Sequence, residues 1–146
     1  MATFNFFNDF FERLGKKEID LDGDTIKVYL TNATPSATDD SVKADLAEIS
    51  AANGYPSGGS DTQNAYTETG GTGTLVGQDV TFTPDGGSFG PFRYAVFYDD
   101  DHASDALIGW VDFGSEITAT YTPVLTPITI NFGASWFTIA VATSSS

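Results

Sequence analysis

Apart from its carboxylates, this chain has few residues able to do chemistry. His102, the only histidine, lies in the stretch Asp99-Asp100-Asp101-His102-Ala103-Ser104-Asp105, and there is no cysteine. A histidine-based nucleophilic site needs a nucleophile and an orienting acid converging on the ring. No serine sits in the G-x-S-x-G pattern of a nucleophile elbow, and Gly87-Ser88-Phe89-Gly90 lacks its spacing. One histidine also falls short of a catalytic zinc, which usually has histidine or cysteine among three protein ligands. His102 therefore reads as an exposed loop residue.

Carboxylates are the other chemical resource. Asp99, Asp100 and Asp101, with Asp105 nearby, offer oxygens to a hard cation. Successive residues of an extended chain point to opposite sides, so three adjacent acids do not all reach one ion. The expectation is a solvated connector whose charge discourages aggregation. Asp20-Leu21-Asp22-Gly23-Asp24 looks superficially like a calcium loop. An EF-hand needs glycine at its sixth position and glutamate at its twelfth, whereas here glycine is fourth and Thr31 holds the twelfth place. A glycosidase pair can be drawn from Asp99, Asp112 or Glu116, yet catalysis needs a cleft and a raised pKa. With twenty acids in the chain, any such pair carries little weight. The sequence assigns no catalytic residue, no metal ligands and no cofactor. It reads as a non-enzyme.

The acidic stretch connects two apolar runs, Phe92 to Tyr98 and Ala106 to Phe113, rich in aromatic and β-branched residues. Together Ser88 to Phe113 predicts a long antiparallel hairpin at the centre of a β-sheet. Other strands are expected at Asp24–Leu30, Ala65–Thr69, Gly73–Thr83, Ser115–Tyr121, Ile128–Phe132 and Trp136–Val141. Pro123 and Pro127 flank Val124-Leu125, which implies an edge or a bend. Ser144 to Ser146 reads as a frayed end. The fold class is all-β: an antiparallel β-sandwich, a jelly roll being one form of it, with an N-terminal amphipathic helix. One domain over residues 1–146 is long enough to bury a core without staples.

The helix is placed over Thr3 to Gly15, within residues 1–17. At 100° per residue, Phe4, Phe6, Phe7, Phe10, Phe11 and Leu14 fall within an arc of roughly 160°. Thr3 is the candidate N-cap, and Gly15 suits a stop. So much apolar surface on a short helix either closes the domain's own core or docks into a neighbouring subunit. Residues 31–60 form a long connection with little strand character, and Ser41 to Ala51 could make a short helix through Val42, Leu46 and Ile49. Long loops of this kind are often functional, although packing over the chain's own sheet suits it equally. The candidate partner-binding residues are Phe4, Phe7, Phe10, Phe11 and Leu14 on the helix, with Ile49 and Tyr55 on the loop. Trp110, Trp136 and the other aromatics are expected in core or subunit packing rather than stacked on sugars.

Net charge bounds the partners. The formal charge is −14, and Arg93 is the only basic residue after Asp45. Phosphate backbones require clustered Lys and Arg, so nucleic acid is not an expected partner. No apolar run approaches the roughly 20 residues that span a bilayer, and no membrane partner is expected. The N-terminus has acids among its phenylalanines and its basic residues after them, so no cleavable leader is expected.

Several segments, taken in order, carry a resemblance. They are the Phe-rich N-terminal stretch, DTIKVYLTNATP (24–35), ADLAEISAANGYPSGG (44–59), DVTFTPDGGSFGPFRYAVFYDD (79–100) and DALIGWVDFG (105–114). Through these the chain resembles a family of small structural proteins of tailed bacteriophages. The resemblance covers most of the first 114 residues, and the C-terminal third shows no fixed motif. It implies a virion component, a capsid decoration (cement) protein on the outer capsid surface. The implied partners are the major capsid protein and other copies of the chain, in a homo-oligomer such as a trimer. A tail, neck or fibre module, including one that binds host carbohydrate, is the alternative it leaves open.

Overall fold

Alternation along the two central apolar runs produces the hairpin that organises the molecule. The computed structural model describes residues 4–122, 124–131 and 137–140, the last four by their backbone alone. In it β7 (Phe89–Asp99) and β8 (Leu107–Ala119) pair antiparallel, with bulges along their length. The expected separate strand at Ser115–Tyr121 is the far end of β8. On one side of the hairpin, β2 (Ile26–Thr31) pairs with β7, and the two-residue β3 (Ser60–Asp61) pairs with β2. On the other side β1 (Phe4–Phe6) pairs with β8, giving the sheet order β1-β8-β7-β2-β3. A three-stranded sheet contains β10 (Phe137–Ala140), β5 (Thr72–Val76) and β4 (Ala65–Thr69). A two-stranded sheet pairs β6 (Val80–Phe82) with β9 (Ile128–Ile130). All pairings are antiparallel. The fold is all-β, with a single small α-helix among the described residues.

Period two divides the central strands between two cores. Ile26, Val28, Leu30, Phe92, Ala95, Phe97 and Ile108 face the smaller sheets, where Leu75, Val80, Phe82 and Ile130 meet them. Tyr29, Tyr94, Val96, Tyr98 and Leu107 face the other way and form a second cluster with Phe7 and Leu46. The sheet's middle is thus buried on both faces. Within residues 31–60, Leu46 and Ala33 pack on the second face while Tyr55 and Ile49 join the first core, which fits the reading in which the loop packs over its own sheet.

The single strand expected over Gly73–Thr83 is divided between β5 and β6, which lie in different sheets, and two expected helices differ as well. The helix does not begin at Thr3: Phe4–Phe6 is a strand and α1 is Asn8–Gly15. Alternating Phe4 and Phe6 hydrogen-bond along the outer edge of β8, and this pairing satisfies backbone groups that a short helix would leave to solvent. Gly109 makes the docking close, because any side chain there would run into the Phe4 ring and the Asn5 carbonyl. The expected cap Thr3 lies outside the described residues. At the helix start Phe7 is extended and gives no side-chain cap; the Asn8 N–H donates to the Ala37 carbonyl at 2.9 Å. The second of these helices is the one expected over Ser41–Ala51. It reduces to one 3₁₀ turn at Lys43–Asp45, whose Asp45 carboxylate accepts the N–H groups of Ser41 and Val42. On either side of that turn the backbone bridges to the sheet, Val42 to Ala106 and Glu48 to Thr31, so the helical spacing is overridden. Phe132, Trp136, Val141 and Ser144–Ser146 lie outside the described residues, as does Pro123.

Candidate functional site

Three of the predicted partner residues have no surface to offer. Phe7 and Phe10 are completely buried, and Tyr55 is 2% exposed. Splitting the N-terminal segment into strand and helix turns most of its phenylalanines inward, correcting their assignment as partner contacts. Phe4 and Leu14 are half-buried against the core, as is Ile49. Phe11 alone is open, at 52% exposure, its ring tilted against Phe6 and edge-to-face with Phe10. Leu14 also lines a shallow cleft of about 360 Å³ with Ile19, Asp20, Leu21, Asp22 and Tyr66.

Tyr55 belongs instead to a polar anchor beneath the loop. Its hydroxyl donates to Glu48 Oε2 at 2.6 Å and accepts the Leu30 N–H at 3.0 Å. Glu48 Oε2 also takes the Gly58 N–H at 2.7 Å, while Oε1 faces Lys43 at 3.2 Å. Burial, then the Glu48 carboxylate, pushes the Tyr55 phenol well above its ordinary pKa, so it stays a donor. Gly59 follows with φ +77° against the Val28 backbone, where a Cβ would collide with the carbonyl. Nothing in the sequence marked Glu48 as this hub.

Three of the four exposed large hydrophobic residues among those described come from an unpredicted place. Beyond β8, Tyr121, Val124 and Leu125 are 40%, 63% and 49% exposed. The loop that carries them is fixed at its base. Thr126 N–H donates to the Thr120 carbonyl at 2.9 Å, Thr120 N–H to Thr126 Oγ1 at 2.7 Å, and Thr120 Oγ1 to the Val124 carbonyl at 2.6 Å. The prolines around Val124-Leu125 signalled a bend, but not that it would present its apolar side chains outward.

At the opposite, closed end of the hairpin the chemistry differs from expectation. His102 is not an exposed loop residue; its side chain is 13% exposed. Ser104 N–H donates to Nδ1 at 3.1 Å, and Nε2 lies 3.0 Å from Arg13 Nη1 and 3.1 Å from Glu18 Oε1. The His102 contact, more than any other, holds the Glu18 carboxyl below its ordinary pKa. Among the described residues no hydroxyl hydrogen-bonds the imidazole.

No family model, curated protein or solved structure matches the chain. The reading of the site therefore rests on its own geometry.

Asp99 is not solvated either: its side chain is fully buried at the end of β7. Alternation sends Asp100 outward to Lys27 at 3.3 Å and brings Asp99 and Asp101 to one side. The register pairing Ile26 with Asp99, extended past the strand end, sets Asp24 across from Asp101. Carboxylate oxygens of Asp24, Asp99 and Asp101 lie within 4.8 Å of one another. Asp99 Oδ1 accepts the Asp101 N–H at 2.9 Å, while Oδ2 is buried without a hydrogen-bond partner. The carboxylates proposed as a glycosidase pair are not brought together. Asp112 is forked to Arg93 at 2.9 and 3.2 Å, and Glu116 accepts from Asn32 at 2.6 Å. Five residues of strand, about 16 Å, separate Asp112 from the Leu107 that neighbours the closed end.

Burial, followed by the Asp24 carboxylate, pushes the Asp99 pKa up to about 8. The folded chain therefore keeps a proton that an unfolded aspartate, with a pKa of about 3.9, has already released. Stability from this group is complete below about pH 4 and is lost as pH rises toward 8. In chelating buffer, the thermal midpoint of an Asp99→Asn variant should gain steadily on the parent between about pH 4 and pH 8, then level off. A gap that does not vary with pH would show that Asp99 ionises as an ordinary aspartate.

Proposed function

We propose that this chain is a structural protein of a tailed-bacteriophage virion, a capsid decoration protein that bridges major capsid subunits on the outer surface. The observation that carries the reading is the exposed apolar trio of Tyr121, Val124 and Leu125, beside the hydrogen bonds of Thr120 with Val124 and Thr126, on a chain of net charge −14. Loops with fixed backbones and exposed apolar side chains suit recognition, because little ordering entropy is lost when they are covered. Phe11 offers a second, smaller contact. The aromatic mass of the N-terminal segment supports the protein's own core, so gripping falls to these residues. A strongly acidic exterior does not compete for packaged DNA. The resemblance to phage structural proteins supplies the partner class, and a homo-oligomer such as a trimer supplies the symmetry by which each copy meets several subunits.

The test uses heads stripped of this protein and re-decorated with the purified full chain. A Val124→Asp, Leu125→Asp double variant is expected to lower occupancy at least tenfold, equivalent to about 1.4 kcal/mol, while its circular dichroism and thermal midpoint stay near the parent's. Unchanged occupancy would refute the loop as the contact. Copy number decides the location: hundreds per particle fit a head coat, and three to a few dozen place the protein in the tail, neck or fibre instead. Absence from purified particles would overturn the reading altogether.

A further inference from the structure

The geometry points to a divalent-cation site of the calcium type, formed by Asp24, Asp99 and Asp101 at the closed end of the central hairpin. Two independent observations converge on it. First, the three carboxylates come from two chain segments far apart in sequence, yet oxygens of all three lie within 4.8 Å of one another. Ions of this class hold oxygens at about 2.3–2.6 Å, so one ion reaches oxygens up to about 5 Å apart. Second, Asp99 is completely buried, and its Oδ2 has no hydrogen-bond partner. A buried polar oxygen without a partner is costly and calls for an occupant.

The cluster is also held in place before any ion arrives. Backbone N–H groups anchor one oxygen of each carboxylate: Asp20 to Asp24 Oδ2 at 3.0 Å, Asp101 to Asp99 Oδ1 at 2.9 Å, and Thr25 to Asp101 Oδ2 at 2.7 Å. These bonds position the three acids relative to one another. Lys27, beside the Ile26 that pairs with Asp99, is engaged by Asp100 instead. Hard oxygen donors select a hard cation, and calcium tolerates irregular geometry and open positions filled by water, whereas magnesium demands a near-ideal octahedron. Asp101 is exposed, which leaves a path for entry and for those waters. The competing occupant is a proton shared between Asp99 and Asp24.

The experiment measures thermal unfolding of the full chain after chelation and dialysis, at neutral pH. Calcium chloride at about 5 mM is compared with sodium chloride of equal ionic strength. A weak, open site of this kind should raise the midpoint by about 2–4 °C. Calorimetry should count one calcium per chain. An Asp39→Asn variant, which removes an exposed acid in another loop, should keep the full shift, while Asp99→Asn and Asp101→Asn should lose it. Asp101 is at the surface, so its variant carries the test should Asp99→Asn not fold. An equal shift in every variant would mean diffuse counterions on an acidic surface. No shift in the parent would leave the shared proton as the sole occupant. Either result overturns the site.

Discussion

Alanine in place of Phe97 should cost the fold about 3–5 kcal/mol, lowering the thermal midpoint by roughly 10 °C. Phe97 sits near the closed-end terminus of β7, completely buried, opposite Val28 on one side and Gly109 on the other. Its ring lies 5.2 Å from that of Phe4, which reaches it across the space left by Gly109. Truncation therefore opens a cavity between rigid strands that cannot collapse into it, and it removes the support on which β1 rests. Urea unfolding measures the loss, and limited proteolysis should show earlier cleavage within the first fifteen residues. Phe11→Ala makes the contrast: half exposed, it should change stability by less than about 1 kcal/mol. Similar losses for both variants would mean that the N-terminal segment is not organised as described.

The second large effect is expected from Glu48→Ala, at about 2–4 kcal/mol. This one carboxylate holds the Tyr55 hydroxyl, the Gly58 N–H and the Lys43 ammonium, and it is only 15% exposed. Without it the Tyr55 donor and the Gly58 N–H are left buried and unpaired, and Lys43 loses the anion that offsets its partial burial. Glu48→Gln keeps an acceptor for one of the two donors, so its loss should be roughly half as large. Hydrogen exchange separates this from a general weakening. Amides in residues 42–60 should lose protection before those of β7 do. If protection falls uniformly, Glu48 does not clamp the loop.

The central hairpin was legible because its signal is local. Aromatic and β-branched residues at alternating positions, broken by a polar connector, need no tertiary information to be read as paired strands. The N-terminal segment misled for the same reason. Phe4, Phe6, Phe7, Phe10 and Phe11 satisfy a helical arc, but the open edge of β8, which draws the first of them into a strand, belongs to another part of the chain. Glu48 and Asp24 were invisible by the same logic, since each acquires its meaning from residues that only the fold brings near. For the acidic cluster the sequence did contain half the answer. Alternation already placed Asp99 and Asp101 together and Asp100 apart; what was missing was the register that sets Asp24 opposite them. The exposed side chains of Val124 and Leu125 carry no pattern at all, because outward and inward placement of two adjacent apolar residues in a bend look identical on paper.

The uneven flanking of the central hairpin has a mechanical consequence. Near its closed end both strands have neighbours, β2 beside β7 and β1 beside β8. Among the described residues the stretches 89–93 and 112–119 have only each other. Half of the hairpin is therefore braced by neighbouring strands, and the other half is a two-stranded ribbon braced by side-chain packing, through Phe89, Phe92 and Ala119. Load applied at the ribbon's tip would be absorbed as torsion there before it reached the acidic end.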